Sequence, residues 1–558
     1  MCPSRPSAEP GRAVRLLLLM WIVALSALVL GPTLAPGYVL SYDMVWVPDL
    51  AVTRPDVWGL GSGLPRAVPS DAVVALLGVV VPQQLLQKAI LLGSLVAAGT
   101  GGARLARGLG LPAQWAAATV LVWNPFVAER LGIGHWPLLV AYAAVPWLVL
   151  AVRERRFAAG VLLLALTALT PASGVMGLVV ALVMGRRTDA WRWLALAALV
   201  NAPWIVASLV SPASLTSDPR GVSVFAARGG GTTPVWLEVA TLGGVWNGDV
   251  RPASRETVVA TVLAVLVVAL VVFGLVRLWR SGGAGVRPLV ALWAIGFVVA
   301  LAGAAAPSLV VSLVETVPGA GLVRDGSRWV LLMAPATAMG LGSAVAWLTD
   351  RPATVVVGWM LALLVPIAMV PDLGWGLGGR LQAVDYPAGW DRVASALAEQ
   401  EGPGDVVSLP FSAFRAPAWN DHRPVLDPAG RYFDRVTVTD DTLRVGDVEI
   451  AGEDPRAARV ALAVRAGDWP YLAAQGVGFI VLDTSTPGPD AVVRRVAALP
   501  LLAHEGDVWL YEVPGEVRPT SATGRTPVVM AAWCVAGATV LGAGATQIGR
   551  RRKSARGT

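Results

Sequence analysis

Charge is what this sequence has least of. Asp, Glu, Lys and Arg make up 15% of its 558 residues while 55% are hydrophobic, where an ordinary soluble domain carries roughly 25% charged residues. That excludes a purely soluble protein. The mean hydropathy of +0.63 over the whole chain cannot come from one anchor, because a single helical span needs only about 20 apolar residues. Many spans are required. Cysteine is nearly absent, with Cys2 and Cys534 alone, so neither a disulfide framework nor a cysteine metal site is available. Lysine is equally scarce: Lys88 and Lys553 are the exceptions among otherwise arginine cations, which reads as a compositional bias. The histidines are His135, His422 and His504, widely separated and without HExxH or comparable metal spacing. No internal repeat occurs, and residues 372–525 contain no glycine-rich phosphate loop after a strand and no nucleophile elbow.

What is present is a series of long apolar runs separated by arginine-bearing turns. The net charge of +7 and pI near 9.9 therefore point to membrane orientation and away from nucleic acid. Arg5, Arg12 and Arg15 precede a run from Leu16 to Leu40 that is longer than the about 7 to 15 residues of a signal-peptide core, so it reads as a first span with a cytoplasmic N-terminus. Residues 41–82 then form an outer loop rich in Pro and Asp. Further spans are expected near Gln84–Thr100, Ala113–Val127 and Trp136–Val152. A pair broken at Pro171 follows within Phe157–Gly185, and another span near Trp193–Val210. A second outer loop covers 211–255. Spans near Val258–Val276, Leu289–Ala305, Trp329–Leu348, Thr354–Val370 and Val528–Ile548 complete about twelve. Arg104, Arg107, Arg153, Arg155, Arg156, Arg186, Arg187, Arg277, Arg280, Arg287 and Arg351 fall on the cytoplasmic turns, and Arg550 to Lys553 on a cytoplasmic tail.

The expected fold is thus an α-helical polytopic membrane protein. Residues 1–371 form its transmembrane part, 372–525 an extracytoplasmic α/β domain, and 526–558 a final helix and basic tail. The α/β reading rests on strand-like runs Val406–Leu409, Gly478–Asp483 and Val508–Val513 alternating with helical stretches Trp390–Gln400 and Ala491–Ala498.

Three groups of polar residues stand on the outer side. Asp43 follows the first span in Tyr42-Asp43-Met44-Val45-Trp46, and Asp49, Asp56 and Asp71 share its loop. A carboxylate at the membrane surface can take a proton from a sugar hydroxyl as that oxygen attacks an anomeric carbon; a turn-capping aspartate gives the same local sequence. The hairpin Asn124-Pro125-Phe126-Val127-Ala128-Glu129-Arg130-Leu131-Gly132-Ile133-Gly134-His135-Trp136 crowds polar groups at one interface. Arg130 and His135 suit a phosphate or sugar with Glu129 orienting Arg130, and an ion pair in an aromatic belt explains the same residues. In Val323-Arg324-Asp325-Gly326-Ser327-Arg328-Trp329, two arginines stand outside against the positive-inside trend. A lipid-carrier phosphate would satisfy their planar donors, as would ordinary lipid headgroups. Lys88, near the outer end of the second span, adds a cation that snorkelling also explains. No metal is called for, although carboxylates of the outer loops are of the type that binds Mg²⁺ or Mn²⁺.

Taken together, Tyr42-Asp43, Gln87-Lys88, the Asn124-to-Leu131 hairpin leading to Gly134-His135-Trp136, the break at Thr170-Pro171, and Arg324-Asp325 with Arg328-Trp329 resemble the GT-C superfamily of membrane glycosyltransferases. In particular they resemble the actinobacterial polyprenyl-phosphate-sugar-dependent enzymes such as the arabinofuranosyltransferases and mannosyltransferases of cell-wall biogenesis. The resemblance implies a polyprenyl-phosphate sugar donor, an envelope glycan or glycolipid acceptor, a plasma-membrane site facing outward, and inversion by an aspartate base. That aspartate is Asp43 first, Asp49 second and Asp56 a distant third. The C-terminal region resembles the soluble domain thought to assist acceptor binding in these enzymes, but lacks the extended carbohydrate-binding modules of the larger arabinofuranosyltransferases. A transporter or flippase of a lipid-linked precursor, or a catalytically silent scaffold of the same fold, are the competing expectations. A flippase predicts internal symmetry and ionisable groups near the bilayer midplane.

Overall fold

A computed structural model of the chain describes residues 11–283, 285–518 and 524–556; Cys2 and Arg5 lie outside them. Among the described residues, nine helices are long and apolar enough to cross a membrane: Arg12–Leu34, Gln83–Leu109, Trp136–Arg153, Arg187–Val210, Val258–Arg280, Val286–Ala305, Gly326–Thr349, Pro352–Met369 and Thr526–Arg550. The protein is a helical, membrane-embedded one.

Several of these helices are apolar all round, as expected of elements that face lipid on one side and protein on the other. Their inward faces are marked by small residues. A Cβ at Gly274 would lie 1.8 Å from the Gly340 carbonyl oxygen, so the Val258–Arg280 and Gly326–Thr349 helices approach through their glycines. The latter helix is the innermost, with 94% of its apolar window buried, and its first turns carry part of the site described below.

Two expected elements differ in extent. The first helix ends at Leu30, followed by a 3₁₀ turn Gly31–Leu34, because Gly31 takes a positive φ and Pro32 removes a donor. Residues expected to be helical up to Leu40 instead include a short strand, Tyr38–Val39, paired with Ala383–Val384. The expected third span is the helix Leu111–Val122, about 18 Å long at 1.5 Å per residue. The break at Thr170-Pro171 is present: Phe157–Thr167 and Pro171–Met184 are separate helices, the second capped by Thr170 with Pro171 in its first turn.

Residues 383–512 hold a five-stranded mixed sheet in the order 501–505, 508–512, 477–483, 405–409, 437–438. The first two pairings are antiparallel and the last two parallel. Every residue of Val477–Asp483 is buried, as a strand covered on both faces must be. Helices Ala388–Ala398 and Asp490–Val496 occupy the expected helical stretches, and Pro455–Ala466 adds Val460 and Val464 to the core around Val407 and Ile480.

This α/β segment is seated on residues 38–71. Besides the strand pair at Tyr38–Val39, Tyr42 donates its N–H to Pro424 O at 2.6 Å and accepts from Leu426 N at 2.8 Å. The Tyr386 hydroxyl donates to Trp46 O at 2.9 Å. Arg431 holds Asp71 at 3.0 Å, and the Arg54 guanidinium donates to Phe433 O.

Candidate functional site

The 3₁₀ and α elements that lead into two membrane-length helices converge on the loop carrying Asp43. The helix Pro125–Gly132 starts at Asn124, whose side chain accepts from Val127 N at 3.1 Å, with Pro125 in its first turn. It ends in a turn where Gly134 has φ 80°. A Cβ at Gly134 would sit 2.2 Å from Ser41 O and 2.3 Å from Met44 N, so only glycine lets the Asp43 loop lie against His135. The loop is tied down there by Ser41 Oγ to Gly132 O at 2.7 Å and Asp43 N to Ile133 O at 3.1 Å.

A chain of hydrogen bonds runs outward from Asp43. Asp43 Oδ2 lies 2.9 Å from His135 Nε2, and His135 Nδ1 lies 3.1 Å from Arg130 Nη1. Arg130 Nη2 donates to Ser327 Oγ at 2.9 Å, and Ser327 donates to Asp325 Oδ1 at 2.6 Å. Arg328 Nε donates to the other oxygen of Asp325 at 2.7 Å. Asp43 keeps 42% of its side-chain surface open while Arg130 keeps none. Both ends of the chain are therefore open, the Asp43 carboxylate at one and Arg328, 37% exposed, at the other.

Charges set the ionisation states. Enclosure by protein works against the charged form of Asp43, but the hydrogen bond and electrostatic pull of His135 together with the charges of Arg328 and Arg431 outweigh it, leaving the carboxyl below its ordinary value; solvent on its open side moderates the effect. Asp325 is likewise held down, Arg328 and Arg130 prevailing over burial. Burial pushes His135 down, as do Arg328 and Arg130, against the pull of Asp43.

Arg328 belongs to a group of arginines. Burial and the neighbouring charges of Arg66 and Arg328 bring Arg324 down to about 10. Glu453, from the α/β segment, pairs with Arg324 at 3.4 Å and with Arg66, and Ser217 Oγ donates to it at 3.1 Å. Arg328 uses Nε on Asp325, and its terminal amino groups have no protein acceptor among the described residues.

A second, closed group lies behind Arg130. Glu129 Oε1 accepts from Gly244 N at 3.0 Å, while its other oxygen is 3.8 Å from Arg130. Glu238 pairs with Arg255 at 2.9 Å, both side chains buried. Burial raises the Glu129 carboxyl to about 7, with Glu238 adding to the effect and Arg130 opposing it.

The residues singled out from sequence thus part company in the structure. Asp43, Arg130, His135 and Arg328 are joined in one chain, with Arg324 beside Arg328. Arg130 and His135 are inside the protein and bonded to it, rather than open to a ligand. Glu129 contacts Arg130 only loosely. Asp49 is exposed, and Asp56 pairs with Arg54 at 2.6 Å. Lys88 Nζ donates to Gly37 O at 2.7 Å, and its neighbour Gln87 clamps Val39 N and O, so that stretch of helix fixes residues 37–39. Arg66, Ser327, Glu238, Arg255 and Glu453 were not singled out. Arg66 carries the same signal as Arg324, an arginine in an expected outer loop. Among the described residues no group of three or more His, Cys, Asp or Glu side chains is arranged to hold a metal ion.

A scan against protein-family models and a search of curated proteins found no match.

Proposed function

We propose that the chain is a multi-pass plasma-membrane glycosyltransferase. It moves arabinofuranose or mannose from a polyprenyl-phosphate donor to an envelope glycan or glycolipid at the outer face. The observation that carries this reading is the open carboxylate of Asp43 within the field of Arg328 and Arg66, with Arg324 next to both arginines, on the loop between the first two membrane-length helices and at the start of Gly326–Thr349. A base and an anion-binding group at the membrane surface are the two things that displacement from a lipid phosphate needs.

In this reading the arginines hold the donor phosphate. Asp43 takes the proton of the acceptor hydroxyl as its oxygen bonds to the anomeric carbon. The bond from that carbon to the phosphate oxygen breaks, and its electron pair leaves on the phosphate. Attack opposite the leaving group inverts the centre. Donors aimed at the departing phosphate stabilise charge that grows in the transition state, and a positioned base contributes about 10² to 10⁴ in rate.

The topology that goes with this reading counts twelve crossings, adding Leu111–Val122, Phe157–Thr167 and Pro171–Met184 to the nine long helices. Both termini are cytoplasmic, and the α/β segment is outside as a domain of its own. Arg104, Arg156, Arg187 and Arg351 then lie inside and the Asp43 group outside. A flippase is less well supported, since the charged chain stands at helix ends and not within their middle turns.

The test is incubation of purified protein with radiolabelled polyprenyl-phosphate arabinose or mannose and envelope glycan acceptors. Transfer of label that is lost in Asp43→Asn supports the reading. No transfer from either donor to any acceptor, by protein that binds the donor, overturns it.

A further inference from the structure

We infer that Arg130 and His135 are positioning residues that present the Asp43 carboxylate in one orientation, with His135 held as the Nε2-protonated neutral imidazole. The role assigned to Asp43 rests on the glycosyltransferase reading; the tautomer does not.

The tautomer follows from the bonds on either side of the ring. A guanidinium has five N–H donors and no acceptor. Arg130 Nη1 lies 3.1 Å from His135 Nδ1, so that nitrogen must offer its lone pair. The ring proton is then on Nε2, directed at Asp43 Oδ2 at 2.9 Å. A doubly protonated ring would set donor against donor at Nδ1 and place a second cation beside a fully buried arginine. Asp43 is consequently an ionised acceptor, and the pair is a charge-assisted hydrogen bond from a neutral ring rather than an ion pair.

The far end of the chain is equally constrained. Ser327 accepts from Arg130 Nη2 and donates to Asp325, whose second oxygen accepts from Arg328. Every proton along the path from Arg328 to Asp43 has one place, and each group is fixed by the next. The base and one arginine of the anion group are thereby built on a single framework. With Nδ1 and Nε2 both engaged, His135 is not available to take the acceptor proton. Only the exposed side of Asp43, a carboxylate within the fields of Arg328, Arg66 and Arg431, is open to an acceptor hydroxyl.

Two measurements test this. The chain contains three histidines, so ¹⁵N-histidine labelling yields few ring signals, and His135→Gln identifies the one from His135. Two-bond couplings to the ring protons should show Nε2 protonated and Nδ1 bare at neutral pH and above. A protonated Nδ1 in that range overturns the inference.

The second measurement is kinetic. His135→Ala should lower kcat by about 10- to 100-fold with donor KM within about twofold of wild type. Loss of the Nε2–H bond raises the Asp43 pKa, so the acidic limb of the rate profile should move up by about one pH unit. His135→Gln, which keeps an N–H donor near the Nε2 position, should restore most of the rate and return the limb. An unmoved limb and unchanged kcat in folded His135→Ala, with Asp43→Asn inactive, overturns the positioning role and leaves the base intact. Normal turnover in Asp43→Asn removes the base itself, whatever the ring signal shows.

Discussion

Arg324 and Glu453 meet at 3.4 Å across the seam between the helical bundle and the α/β segment. The same carboxylate pairs with Arg66, so the two arginines are held by one group that neither the bundle nor the first loop supplies. If these cations bind the donor phosphate, Arg324→Ala and Arg66→Ala should each weaken donor binding by roughly 1.5 to 3 kcal/mol. The double variant should fall short of the sum, because the two share Glu453. Titration of the lipid phosphate against the three proteins decides it, and wild-type affinity throughout removes the assignment.

Gly134 sets the approach of the Asp43 loop to His135. Its φ of 80° disfavours any side chain, and a Cβ would collide with Ser41 O at 2.2 Å. Gly134→Ala should therefore lower stability by about 1 to 3 kcal/mol and cost more in kcat than in donor binding, because the base is displaced while the arginines stay. Thermal unfolding together with kcat and KM checks this. An alanine variant with wild-type kcat shows that the close approach is dispensable.

Glu129 gives a pH dependence with a defined sign. Burial raises its carboxyl from the ordinary 4.5 to about 7, so the folded protein binds that proton more tightly than the unfolded chain. The stability this contributes is full below about pH 4.5 and is lost as pH rises through about 7. Glu129→Gln keeps the shape and removes the titration. Its melting temperature relative to wild type should rise between about pH 5 and 8. A relative melting temperature that falls over that range contradicts the assignment.

The orientation of the chain is open to a direct check. In a background with Cys2 and Cys534 replaced by serine, a cysteine at exposed Asp490 should react with a membrane-impermeant reagent on intact cells. Reaction only after the cells are opened reverses the topology.

Much of this was legible in the sequence, for reasons that differ by residue. The helices follow from apolar runs and arginine turns. The break at Thr170-Pro171 was legible because an N-cap and a first-turn proline are local signals. Asp43, Arg324 and Arg328 stood out because charge next to a span must be explained. The inward turn of Arg130 and His135 was not legible: it depends on Gly134 admitting residues 41–44, a contact between segments far apart in the chain. Arg66 became part of the site only through Glu453, and Lys88 left it because Gly37 takes its ammonium group. The first helix is shorter than its apolar run, which continues to Leu40, because backbone pairing with Ala383–Val384 claims the end of that run.

The most direct test of the central claim compares Asp43→Asn with Asp49→Asn in the transfer assay. Asp43→Asn preserves size and can still meet His135, so the protein should fold and bind donor nearly as wild type while turnover falls by about a hundredfold or more. Asp49 is exposed, and its change should have little effect. Near-normal turnover in Asp43→Asn with an inactive Asp49→Asn transfers the base to Asp49, and activity in both variants contradicts catalysis by this loop.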